Sequence, residues 1–321
     1  MLIEGIIVEY LYWTTWLICA IIYVTIKEVC FLKVTFIGTS AGEGYPGVWC
    51  ECVNCRKARE WGGRNIRGNS SMMIDDDFLV DCSAHFAAMA PRLGISPSRI
   101  KGLLVTHAHM DHFAPEFLWK RMMSRELRGL SDEEKMKYIS PNFTELPTLH
   151  VFGNEFVHKR MAAESNLLEN MDVNMLEFHL IEEGVSQTLD DLTFTPVRAQ
   201  HTNIRGFAHS YIIERGGKTL LHASDTGGYD DDMMHLILSK KYDCIIMEGT
   251  FGLGASVDGH MSLEKNRKML RLFNDHNVWK NGANFHLTHI CPHWTPPHDE
   301  YAAMLQEEGI EVAYDGKVIE F

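Results

Sequence analysis

The sequence reads as a layered α/β protein, on three observations. Beyond Phe31, short apolar runs of strand length alternate with longer amphipathic stretches, the order that stacks helices against sheets. Apolar residues make up 45% of the chain and charged residues 23%, which suffices to fill a substantial core. No Pro-rich, Ser-rich or low-complexity linker interrupts residues 31–321, so they are expected to form one domain.

Apolar runs of strand length mark strands at Val34 to Gly38, Met72 to Ile74, Phe78 to Asp81, Gly102 to Val105, Leu149 to Phe152 and Leu176 to Ile181. The same signal continues at Leu192 to Val197, His209 to Ile213, Thr219 to His222, Cys244 to Met247 and Phe285 to Thr288. Amphipathic spacing predicts helices over Ala84 to Leu93, Pro115 to Arg128, Glu155 to Glu169, Asp231 to Ser239, Leu263 to Asn274 and Glu300 to Glu308. The polar stretch Leu127 to Leu146 reads as an inserted cap or loop able to shape a pocket.

Residues 1–30 differ from the rest. Tyr10 to Ile26 carries no charge and approaches the length that spans a bilayer, so residues 10–26 read either as a membrane anchor or as part of a misassigned start. A cleavable signal is disfavoured because no basic region precedes the stretch. Glu4 and Glu9 before it and Lys27 and Lys33 after it would leave the following domain in the cytoplasm.

The segment Thr106 to Phe113 reads Thr-His-Ala-His-Met-Asp-His-Phe, directly after an apolar run. On a strand ending at Thr106, His107 and His109 leave on one side because extended side chains alternate, and can grip one metal. Asp111 and His112 fall in the turn that follows and can serve a second ion. Taken singly, His201 and His289 are ordinary among 17 histidines, and Asp225 is good turn chemistry before Thr226-Gly227. Each nevertheless follows an apolar run, in order along the chain.

In these residues the chain resembles the metallo-β-lactamase superfamily, over nearly all of Phe31 to Phe321. The resemblance implies a four-layer αβ/βα sandwich. It also implies that His107, His109 and His201 hold one metal and Asp111, His112 and His289 the other, with Asp225 between them. Asp81 matches the family's buried acidic residue that braces the histidine loop from behind.

Cys50-Glu51-Cys52-Val53-Asn54-Cys55 places three of the eight cysteines within six positions, a density suited to a structural zinc, with redox or incidental cysteines as the alternative. His293 is the first choice for a fourth ligand and Cys291 the second. Together with Gly38-Thr39-Ser40-Ala41-Gly42, this cluster is similar to the PhnP-type cyclic-phosphate phosphodiesterases and to the B protein of pyrroloquinoline quinone biosynthesis. That branch carries a His-x-Ser element matching His260-Met261-Ser262, which implies that His260 acts as general acid or phosphate stabiliser.

The expectation is a dinuclear-metal hydrolase of a small phosphate ester, cyclic esters included, in which a metal-bridging hydroxide oriented by Asp111 attacks phosphorus. The two ions would be zinc or manganese, with iron also compatible. Arg205 is a weak candidate for the phosphate, and Tyr45, Trp49 and Trp294 for the pocket wall. The rivals are hydrolysis of a lactone, thioester or lactam on the same site, and a non-hydrolytic role in cofactor biosynthesis or transport. A net charge of −13 opposes long nucleic acid as a partner, and with it a transfer-RNA-processing role. A homodimer is compatible with the sequence.

Overall fold

The structure is a computed structural model that describes residues 31–121, 130–138, 146–164, 167–172, 175–255 and 259–321. Its first half runs β1 (Lys33–Gly38), α1 (Val53–Trp61), β2 (Ser71–Ile74), β3 (Phe78–Val80), α2 (Phe86–Arg92), β4 (Gly102–Leu104), α3 (Asp132–Tyr138), β5 (Leu149–Gly153), α4 (Glu155–Ala163) and β6 (Leu176–Leu180). Then follow β7 (Gln187–Leu189), β8 (Leu192–Ala199), β9 (Ala208–Arg215), β10 (Lys218–Ala223), α5 (Asp231–Leu238), β11 (Tyr242–Glu248), α6 (Leu263–Asp275), β12 (Trp279–Thr288), α7 (His298–Leu305), β13 (Ile310–Val312) and β14 (Val318–Glu320).

The strands form two sheets of seven, in the orders β14-β1-β2-β3-β4-β5-β6 and β13-β12-β11-β10-β9-β8-β7. Strand alternation decides which side chains fill which layer. Leu104 and Phe152 point between the sheets, where they share a core with Phe194, Tyr211, Leu220 and Ile246 of the second sheet. Their neighbours Leu103 and Val151 point outward, onto Phe86, Leu118, Val157 and Met161. On the far side, Leu221 and Ile245 pack against Ile237, Met269, Phe273 and Tyr301. Helix, sheet, sheet and helix therefore stack as the four-layer sandwich that the resemblance implies.

Strand direction prepares the site. β3, β4 and β5 are parallel, as are β10, β11 and β12. β8 and β10 are each antiparallel to β9, so they run the same way. The loops after β3, β4, β8, β10, β11 and β12 can thus gather at one edge of the sandwich.

Several elements differ from expectation. Helix α1 occupies the segment read as a cysteine loop, and it buries Cys55 and Ala58 on one side. β7 and β14 are short, largely solvent-exposed strands whose composition gives no apolar run. The helix expected over Pro115 to Arg128 is a 3-10 turn at Pro115–Arg121, and residues 122–129 lie outside the described residues. α4 ends at Ala163, before a separate turn at Leu168–Asn170. Of the insertion, α3 is described and residues 139–145 are not. The apolar stretch 10–26 also lies outside the described residues, among which no helix is long and apolar enough to cross a membrane.

Candidate metal centre

Six strand ends deliver the side chains. β4 runs into His107, His109, Asp111 and His112; β8 into His201; β10 into Asp225; β12 into His289; β3 into Asp81; and β11 ends on Glu248. Asp81, Asp225 and His289 all adopt left-handed backbone, with φ of 60°, 47° and 55°. Such φ values are uncommon outside glycine and gather where a side chain must be aimed against local preference.

The donors form two groups that meet at one carboxylate. His109 Nδ1 lies 3.0 Å from His107 Nε2 and 3.1 Å from His201 Nε2. His112 Nε2 lies 3.1 Å from His289 Nε2 and 3.5 Å from Asp111 Oδ2. Asp225 turns Oδ1 to His289 and His112, at 3.0 and 3.2 Å, and Oδ2 to His107 and His201, each at 3.6 Å. Donors held tetrahedrally about 2.0–2.1 Å from a zinc ion would stand roughly 3.4 Å apart, so the spacing within each group suits a divalent metal, with Asp225 facing both groups.

The opposite ring nitrogens are occupied by other partners. His112 Nδ1 lies 2.7 Å from Asp81 Oδ2, and Asp81 also accepts from the Thr106 amide at 2.8 Å. His289 Nδ1 lies 2.8 Å from Thr250 Oγ1, and His201 Nδ1 lies 3.2 Å from the Gly259 carbonyl. These contacts fix ring orientation and aim the remaining lone pairs at the centre. Gly259 is required for one of them: at φ +90° a Cβ there would stand 2.1 Å from the His201 carbonyl oxygen.

Electrostatics favour a cation. Burial holds His107, His109 and His201 below the ordinary histidine value, in the neutral form that binds metal. Burial also disfavours charge on His289, yet Asp225 outweighs it and pushes this histidine up to about 10. Asp111 falls to about 2 because His112 and His289 overcome its burial. A divalent ion supplies the positive charge that these buried carboxylates demand.

His260 stands over both groups, its ring 4.8 Å from His201 and 5.8 Å from His289. Its Nδ1 lies 2.8 Å from Oε1 of Glu248, a fully buried carboxylate that the sequence reading did not single out. Glu248 also accepts from the Thr226 and Thr250 amides, at 3.1 and 2.9 Å. Its place at a strand end, like that of Asp81, was the signal available in the sequence. Phe207 lies 4.9 Å from His109, and Phe251 lies 5.9 Å from His260 and 6.0 Å from Trp294.

Other sequence candidates go elsewhere. Arg205 is 74% exposed and faces Asp230 at 3.7 Å. Tyr45 is core: its hydroxyl donates to the Thr295 carbonyl at 3.0 Å. Trp49 is 97% exposed, whereas Trp294 stays beside the centre through Phe251. The thiols of Cys50, Cys52 and Cys55 converge within 4.8 Å, the spacing of zinc ligands, while His293 groups with Cys291 and Glu43. The two clusters are neighbours, since Asn54 donates to the Pro292 carbonyl at 2.9 Å.

Known proteins share this fold. Residues 77–290 match the model of the Beta-lactamase superfamily domain. Coenzyme PQQ synthesis protein B of Klebsiella pneumoniae (strain 342) is 22% identical over 313 residues, spanning 90% of this chain and 97% of that protein. Zn(2+)-bound PqqB from Methylobacterium extorquens has a TM-score of 0.65 at 18% identity, over 90% of this chain and 100% of the other. A diphosphatase from the PhnP family has a TM-score of 0.64 at 20% identity, over 91% and 98%. With a family model matched over more than half its length, this chain belongs to the beta-lactamase superfamily.

Proposed function

We propose that the protein is a metal-dependent hydrolase of a small phosphate diester, cyclic diesters included. The observation that carries this reading is His260, held by buried Glu248 against ligands of both donor groups. Two divalent ions, when bound, polarise a phosphoryl oxygen and lower the pKa of a water. His107, His109 and His201 would hold one ion and Asp111, His112 and His289 the other, with Asp225 shared.

The side chains supply the rest. Burial opposes a charge on His260, but the hydrogen bond it donates to Glu248 prevails and raises its pKa, which favours the protonated ring that can hand a proton to the departing alkoxide. Asp111 is the less buried carboxylate and accepts a hydrogen bond from the attacking water. Phe207 and Phe251 place apolar rings beside His109 and His260. A net charge of −13 favours a small ester over a polyanion.

The test is hydrolysis of bis(p-nitrophenyl) phosphate by the metal-loaded full chain, beside lactam, lactone and thioester substrates. Diester turnover, with a loss in His260→Ala that is greatest for diesters of alkyl alcohols that leave poorly, supports the reading, and carbonyl hydrolysis without diester turnover overturns it. The likeness to coenzyme PQQ synthesis protein B across 90% of the chain favours a second reading, a role in cofactor biosynthesis. Absence of turnover on every ester would favour it.

A further inference from the structure

A separate convergence of metal-binding side chains lies on the first sheet, away from the centre. β5 and β6 are parallel, with His150 paired to Glu177 and Phe152 to His179. Strand alternation sends all four side chains to one face. Phe152 belongs to the core between the sheets, so the cluster sits at the rim of that core, on edge strand β6 and its neighbour β5.

The geometry is that of a ligand triad. His150 Nδ1 lies 2.9 Å from His179 Nε2 and 3.3 Å from Glu177 Oε2, and His179 Nε2 lies 3.9 Å from the same oxygen. These separations bracket the roughly 3.4 Å between donors of a tetrahedral zinc. The His179 ring stacks on Phe152 at 4.7 Å and on His150 at 5.2 Å, so packing fixes its direction. A hydrogen bond between the imidazoles accounts for one of the three approaches and an ion pair of His150 with Glu177 for a second, whereas one ion at their meeting point accounts for all three.

We infer that His150, Glu177 and His179 form a metal site for a divalent transition ion, with zinc best suited to two imidazoles and a carboxylate. Side-chain exposures of 24%, 58% and 37% leave a coordination position open to water. The site is distinct from the catalytic edge. His150 lies level with Gly102, four residues before Thr106, or about 13 Å along the strand. An ion here ties edge strand β6 to β5. The inference does not depend on the reading of the dinuclear centre.

The test counts zinc per chain by mass spectrometry after dialysis of the full-length protein against micromolar zinc. Wild type is expected to hold one more ion than His179→Ala. Glu177→Gln is expected to bind that ion at least about tenfold more weakly. Zinc should also slow hydrogen exchange of the β6 amides in wild type and not in the variants. Equal zinc counts in wild type and both variants would overturn the site, as would an extra ion that binds only at millimolar concentration. Glu177 is exposed, so Glu177→Gln decides the matter even if His179→Ala fails to fold.

Discussion

Glu248 and His260 form a buried carboxylate–imidazole pair, Oε1 to Nδ1 at 2.8 Å, at the end of β11. The carboxylate has no exposed surface, and the amides of Thr226 and Thr250 hold it in place. Ring orientation at His260 therefore depends on a residue twelve positions earlier in the chain. Glu248→Gln keeps the shape and removes the charge. Turnover of diesters with poor leaving groups should fall about 10²-fold, with a smaller loss for p-nitrophenolate, which departs without a proton. A rate series across leaving groups checks this, and an equal loss for every leaving group would refute the role.

Asp225 directs one oxygen to each donor group. Asp225→Asn should weaken metal binding by about 10–100-fold and reduce hydrolysis by at least that factor. Bound metal and initial rates, measured over a metal titration, check both.

His286 is buried with neither ring nitrogen hydrogen-bonded, and Glu311 stands 3.7 Å away. Burial, aided by Lys317, lowers its pKa to about 4. A depressed histidine leaves the folded state stable above the unfolded value near 6.5 and withdraws stability as pH falls toward 4. His286→Leu should add about 1 kcal/mol at pH 7, because an unpaired polar group leaves the core. Its advantage should grow toward pH 4 by up to about 3 kcal/mol. Urea denaturation at pH 7, 5.5 and 4.5 measures the difference.

Arg67 is buried and donates to Thr39 Oγ1 at 2.8 Å and to the Ala313 carbonyl at 2.5 Å. Nearby Asp315 accepts from Gly68 and Thr39. Arg67→Met strands these acceptors and leaves the Asp315 carboxylate without its cation, so it should cost about 3–5 kcal/mol in urea denaturation.

Trp294 is 46% exposed and reaches His260 only through Phe251. Trp294→Ala should raise KM for aryl esters about fivefold while leaving kcat and Tm nearly unchanged. Steady-state kinetics on aryl and alkyl esters separate a stacking surface from a structural role.

Much of the fold was legible because it rests on local periodicity. The run ending at Val105 and the histidine cluster after it sit on one strand and its loop, so alternation alone set the faces. β7 and β14 were illegible because edge strands bury little and carry no apolar signature. α1 was hidden because the cysteines at its start, Cys50, Cys52 and Cys55, drew the reading to metal chemistry over the helical spacing of Cys55 and Ala58.

By itself, the sequence determined the donor types, the strands that end on them and the layered class, because each is written in a window of a few residues. The tertiary structure decided what depends on register and on contacts between distant segments. It sent Arg205 outward to Asp230 and put Glu248 behind His260. It also paired His150 with Glu177, 27 positions later, through the parallel alignment of β5 and β6. Side chains that far apart meet only when sheet pairing brings them together, and the physics of pairing is not local.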